Sequence, residues 1–195
     1  MISKLLLATR DILWLPLSSF GAQSELLKAI FLAVPKARLA GVDMSPEMLA
    51  VARAKSRGDL DLREGHAEAL PFENEACDVV VSSSAFHFFR RPTAALVEMH
   101  RVLRPSGSIV ITDWCSDYPA CFLYDLFLRL FSPAHFRTYS SKKLHQLLNE
   151  AKFSEVTVRR YKIDRGWGMM TATAKKMTTA MSAPRADQDC SGVPI

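Results

Sequence analysis

Between positions 39 and 114 the apolar residues switch repeatedly between strand and helix spacing, and each switch marks an element. Leu39-Ala-Gly-Val42 is a short apolar run closed by Asp43, and Ser45-Pro46-Glu47 follows at once. A capping hydroxyl, a proline in the first turn and an early acid predict a helix start there. Met48, Leu49 and Ala52 share one side of that helix, Arg53, Lys55 and Arg57 suit the C-terminal end of its dipole, and Gly58 stops it. Leu60 to Arg63 reads as a short strand, with Gly65 to Leu70 as the loop beyond it. Asp78-Val-Val-Val81 is an unbroken β-branched run of the kind found in a parallel strand covered on both faces. Pro92 opens a helix whose Ala95, Leu96, Met99, Val102 and Leu103 repeat at helical spacing. Arg104-Pro105-Ser106-Gly107 is expected to end it, and Ser108 to Thr112 to form the next buried strand, finishing at Asp113-Trp114.

Strands that alternate with helices through short turns predict an α/β domain with a mostly parallel sheet flanked by helices, and such sheets hold their ligands beyond the strand C-termini. Asp43, His66, Ser82 to Ser84 and Asp113 all fall at that edge. Further on, Tyr118 to Phe131 predicts an aromatic-rich helix, Ser140 to Ala151 an amphipathic one, and Val156 to Ile163 with Gly168 to Ala174 an antiparallel closing pair. Residues 1–174 therefore read as one domain. From Lys175 the apolar period fades into Thr, Ser, Ala and Pro with isolated charges, so 175–195 is expected to be a disordered tail. Near the start, Leu13 to Leu17 contains Pro16, which removes a ladder donor and makes this stretch a poor central strand.

Composition narrows the function classes. The chain has 195 residues, 49% of them hydrophobic, which suits a single core. A net charge of +5 without a clustered basic stripe argues against a nucleic-acid partner. Cys77, Cys115, Cys121 and Cys190 lie far apart with no paired spacing and no histidines at ligand distance, so neither a metal site nor a disulfide framework is expected. Reduced thiols of that kind fit a cytoplasmic protein. The apolar start, Leu5 to Ala8, is broken by Arg10 and Asp11 and is too short for a leader core or a membrane span.

Four blocks then carry a resemblance: Gly41-Val-Asp43-Met-Ser45-Pro-Glu-Met48-Leu, Gly65-His-Ala-Glu68-Ala-Leu-Pro71-Phe72, Asp78-Val-Val-Val-Ser82 and Arg101-Val-Leu-Arg-Pro105-Ser-Gly107. In this order and spacing the chain resembles the class I S-adenosylmethionine (SAM)-dependent methyltransferases of the small-molecule type, similar to the ubiquinone and menaquinone group. The resemblance implies a Rossmann-like fold, SAM as cofactor and a small organic methyl acceptor. It implies that Asp43 accepts hydrogen bonds from the ribose hydroxyls, a geometrically demanding pairing. Met44 would flank the adenine, His66 would replace the usual acid facing the adenine amino group, and Ala67 would offer a backbone amide to the ring. A neutral His66 can accept that bond and an imidazolium cannot. Ser82 and Ser83 would stand beside the methionine part of SAM. His87 is a candidate general base, weighed against a histidine that merely covers the sheet between Phe86 and Phe88. Glu68 reads as a solvated surface acid. Phe86, Trp114, Tyr118, Phe122 and Tyr124 are candidates to line an acceptor pocket, weighed against ordinary core aromatics.

One block departs from the family. Counting back from Glu25 as the first helix start puts Ser18 where the family has an acid, and Phe20, Ala22 and Ser24 where it has three glycines. Gly21 falls between those sites. Three readings of residues 1–24 stay open: a remodelled loop that still binds SAM, a catalytically inactive methyltransferase-like protein with a structural or interaction role, or a truncated or frame-altered form of a longer parent. A nicotinamide-dependent oxidoreductase fares worse, since it wants a G-x-G-x-x-G turn that the chain also lacks.

Overall fold

The computed structural model describes residues 11–16, 36–55, 60–131, 137–164 and 166–177. Its strands are β1 (Asp11–Pro16), β2 (Arg38–Asp43), β3 (Leu60–Glu64), β4 (Cys77–Ser83), β5 (Leu103–Trp114), β6 (Phe153–Lys162) and β7 (Gly168–Lys176). Its helices are α1 (Pro46–Lys55), α2 (Pro92–Val102), α3 (Pro119–Phe131) and α4 (Ser141–Glu150), with a short 3-10 turn at Phe86–Phe88. The strands form one sheet in the order β3-β2-β1-β4-β5-β7-β6. All neighbours run parallel from β3 to β5, while β7 is antiparallel to both β5 and β6. The expected α/β architecture and its antiparallel C-terminal pair are present.

Each helix start follows from local chemistry. Ser45 Oγ accepts from the Met48 amide at 3.2 Å, and Ser140 Oγ accepts from the Lys143 amide at 3.2 Å, which satisfies donors that a helix leaves open at its first turn. Pro92 sits at the start of α2, where its missing N–H costs nothing. On one face of the sheet, Leu96 and Met99 of α2 meet Leu144 and Leu148 of α4 over Ile109, Ile111 and Met170, all fully buried. Each such side chain contributes about 1.5–3 kcal/mol over its exposed state.

Four details differ from the reading of the sequence. First, β1 is central, paired with β2 on one side and β4 on the other. Pro16 is its last residue, so the lost donor falls where the ladder ends. Second, Arg104–Gly107 does not separate helix from strand, because Leu103 already pairs with Cys77. The next described pair is Val79 with Ser108, so Arg104–Gly107 bulges opposite Asp78, with Ser106 at φ 64°. Third, β6 begins at Phe153 rather than Val156. Fourth, β7 runs to Lys176, and its Lys175 and Lys176 pair with Ser154 and Phe153 beyond a register shift in β6. Of the expected tail 175–195, residues 178–195 lie outside the described residues, as do residues 1–10 and 17–24 of the atypical segment 1–24.

Candidate functional site

The strand order reverses between β1 and β4, and a parallel sheet opens a crevice beyond its strand ends at such a point. Asp43 ends β2 and Ser82 and Ser83 end β4, on the two sides of β1. Asp43 is only 2% exposed. Its Oδ1 accepts from the Ser45 amide at 2.9 Å, while Oδ2 is buried with no hydrogen-bond partner among the described residues. Burial pushes the Asp43 carboxyl above its ordinary value, and the Ser45 and Met44 amides only partly offset that. A buried carboxylate oxygen without a donor is costly, so this one is poised to take a donor from a ligand. Ser82 Oγ, in a fully buried residue, is a second unpartnered polar atom at the same edge.

Around this acid the predicted cofactor residues take separate places. Met44, directly after Asp43, is 49% exposed, which removes it from the core and leaves its thioether facing outward. Beyond β3, His66 is exposed and Ala67 half-buried, in a tight loop closed by the Ala69 amide donating to the His66 carbonyl at 3.0 Å. The Gly65 amide donates to the Asp43 carbonyl at 3.1 Å, tying that loop to the end of β2. Glu68 is half-buried rather than a plain surface acid. Its Oε1 accepts from the Arg91 amide at 3.3 Å, at the head of α2, where negative charge suits the helix dipole.

After β4 the chain turns through Ser84, at φ 51°, into the 3-10 turn that carries His87. The His87 ring is 3% exposed, and its Nδ1 lies 2.7 Å from Asp113 Oδ1, while its backbone amide donates to Asp113 Oδ2 at 2.9 Å. The ring stacks on Trp114, with centroids 4.8 Å apart and planes 11° apart. Asp113 thus sets the orientation of His87, and His87 braces Trp114. Sequence reasoning placed Asp113 at this edge without seeing that pairing, because the two residues belong to different elements 26 positions apart.

Trp114 begins an aromatic wall. It meets Trp167 at 5.2 Å and Tyr124 at 5.8 Å, and those two meet each other at 5.2 Å. Tyr118 lies beside the wall against Gly168, where a Cβ would fall 2.2 Å from the ring. Glycine is therefore required there. Of the five aromatics expected to line an acceptor pocket, Trp114, Tyr118 and Tyr124 gather here. Phe122 is 55% exposed on the outer side of α3. Phe86 does not join them: it is fully buried in the core, edge-on to Phe89 and Tyr139. Trp167 was missed as a wall residue because it lies in the β6–β7 turn, far along the chain from the rest.

Among the described residues there is no cluster of three potential metal ligands, and no helix is long and apolar enough to cross a membrane.

Comparison with known proteins agrees with this geometry. Residues 18–111 match the methyltransferase domain family. The chain is 35% identical over 117 residues to an uncharacterised Escherichia coli K12 protein, covering 56% of each. It is 37% identical over 87 residues to the demethylmenaquinone methyltransferase of Chlorobaculum parvum, covering 45% of this chain and 36% of that one. The chain thus spans from about a third to just over half of the length of these relatives. In three dimensions it superposes on a SAM-dependent methyltransferase of Methanosarcina mazei with a TM-score of 0.71 at 15% identity, covering 91% of this chain and 97% of the other. Human N-acetylserotonin methyltransferase, solved with SAM, gives 0.66 at 17% identity over 90% of this chain and 52% of the other. Residues 18–111 thus match the methyltransferase domain family, and the sheet order and the superpositions show the Rossmann-like fold of the class I methyltransferases.

Proposed function

We propose that the chain binds SAM beyond the C-terminal ends of β2, β1 and β4, and passes its methyl group to a small organic acceptor held against the Trp114–Tyr124–Trp167 wall. The observation that carries this reading is the buried, donorless Oδ2 of Asp43 at the strand-order reversal. A ribose hydroxyl supplies the donor that this oxygen lacks, and reaches it by replacing the atoms that cover it. The residues present therefore fit the cofactor. Met44 would flank the adenine, the His66–Ala67 loop would meet its edge, and Ser82 and Ser83 would stand beside the methionine part. SAM brings an already activated methyl group, so the protein's task is alignment and exclusion of water. His87 serves as a positioning residue: tied to Asp113, it holds Trp114 in place through the ring stack.

The departure at Ser18, Phe20, Ala22 and Ser24 supports a second reading, a methyltransferase-like protein that no longer binds SAM and acts through its surface. Calorimetric titration of SAM into the full chain separates the two. Heat with micromolar affinity is the expected result. No binding up to millimolar SAM overturns the enzyme reading and leaves the second.

A further inference from the structure

One sequence block lies outside the site described above: Arg101-Val-Leu-Arg-Pro105-Ser-Gly107, whose first arginine sits on α2. The structure joins it to the Gly65–Phe72 block. Between Glu64 and Cys77 the chain forms no helix or strand, only a bridge between His66 and Ala69, so no ladder fixes the loop that carries His66 and Ala67. Side chains hold it instead. Leu70, at the end of that loop, has both backbone groups taken by α2: its amide donates to Glu98 Oε2 at 2.9 Å, and its carbonyl accepts from Arg101 Nη2 at 3.0 Å. The pair thus offers Leu70 the acceptor and donor that a neighbouring strand would. Arg101 Nη1 also donates to the Phe72 carbonyl at 2.8 Å and to Asn74 Oδ1 at 2.9 Å.

Two further ties complete the loop. The Gly65 amide donates to the Asp43 carbonyl, and a Cβ on Gly65 would fall 3.0 Å from Pro71 Cδ, so the loop closes on itself. Glu68 accepts from the Arg91 amide at the head of α2. The loop is therefore fixed to β2 at its start and to α2 at its middle and end. The last tie is charge-assisted: the Arg101 guanidinium meets both Glu98 oxygens, at 2.9 and 2.8 Å, and holds the Glu98 carboxyl below its ordinary value. Both side chains are mostly covered, which limits screening by water.

We infer that Glu98 and Arg101 are positioning residues for the adenine ring: from α2 they hold Leu70 to Asn74, and through the closed loop they set the place from which the Ala67 amide donates to the ring. This deepens the SAM reading and rests on its placement of the adenine. A backbone donor moved by about 1 Å leaves hydrogen-bond range.

The test compares S-adenosyl-L-homocysteine with S-inosyl-L-homocysteine by calorimetry on the full chain. Hypoxanthine reverses the donor and acceptor along the ring edge that adenine presents, and a backbone N–H cannot reverse in turn. The wild type should bind the adenosyl ligand at least about tenfold more tightly, because a site built around a hydrogen bond rejects a ligand that cannot make it. Arg101→Ala should bring the two affinities within about threefold of each other, by weakening the adenosyl ligand. Arg101→Lys, which keeps the charge but not the planar fork, should give an intermediate ratio. A merely structural role lowers both ligands alike, so Arg104→Ala, which loosens the opposite edge of the sheet, should keep the wild-type ratio. If Arg101→Ala does not fold, Arg101→Lys decides: a ratio below that of the wild type supports the inference, and an unchanged one overturns it. A wild-type ratio in Arg101→Ala, or a wild type that binds both ligands equally, overturns the inference and leaves SAM binding standing. Binding of neither ligand by the wild type up to millimolar concentration removes the SAM reading, and the inference with it.

Discussion

At the N-terminal edge of the sheet, Asp11 and Asp78 share Arg104 and Asp11 also pairs with Arg38, whereas at the C-terminal edge the buried Asp43 has no ion-pair partner among the described residues. Asp11 Oδ1 lies 2.6 Å from Arg38, its Oδ2 lies 2.8 Å from Arg104, and Arg104 also reaches Asp78 at 2.8 Å. Burial alone raises the Asp11 carboxyl, but the hydrogen bonds from Arg38 and Arg104 outweigh it and hold the group below its ordinary value. Burial raises Asp43 as well, and there two backbone amides do not outweigh it. The same residue type thus serves opposite ends: satisfied acids secure the strand starts, and an unsatisfied acid marks where a ligand completes the structure.

The strongest way to break this contrast is Asp43→Asn. The amide still accepts from Ser45 but removes the charge, so SAM affinity should fall at least tenfold, from loss of hydrogen bonds worth about 1.5–3 kcal/mol each. The free protein should meanwhile become more stable at neutral pH by about 1 kcal/mol, or roughly 2–4 °C in melting temperature. Calorimetry and thermal melts read the two effects, and a variant that binds SAM normally removes Asp43 from the site. Arg104→Ala should show the reverse pattern. It leaves Asp11 and Asp78 short of a partner and lowers stability by about 1 kcal/mol, a modest figure because Arg104 is 36% exposed, with SAM affinity unchanged. Denaturant midpoints check it.

A finer contrast comes from pH. The lowered Asp11 contributes stability that is present above its unfolded value and is lost as pH falls through its folded one. The raised Asp43 works the other way: its contribution is full below the unfolded value and is lost as pH rises through the folded one. The stability gained by Asp43→Asn should therefore be largest at neutral pH and shrink on acidification. Melting curves of both proteins from pH 7 down to pH 4 follow it, and a constant difference overturns the assignment of a raised Asp43.

Much of the candidate site was legible because it is local. Asp43, Ser45 and Pro46 sit within four residues of one strand-to-helix turn, and capping chemistry at that range is written in the residue types. The β-branched run of β4 and the helical period of α2 announced themselves in the same way. Pro16 misled because its effect depends on where the ladder ends, and the spacing of apolar residues does not state that. Glu68 looked solvated for the same kind of reason: its partner amide at Arg91 arrives from another element.

By itself, then, the sequence determined the alternation of strands and helices, the acid at the end of β2 and the blocks that resemble the methyltransferases. Those properties depend on neighbours a few residues apart. Only the tertiary structure decided that Asp43 keeps one oxygen without a donor among the described residues, that Asp113 holds His87 against Trp114, and that Trp167 joins Trp114 and Tyr124. Each depends on strand order and burial, which bring together groups from distant parts of the chain and remove the water that would otherwise satisfy them.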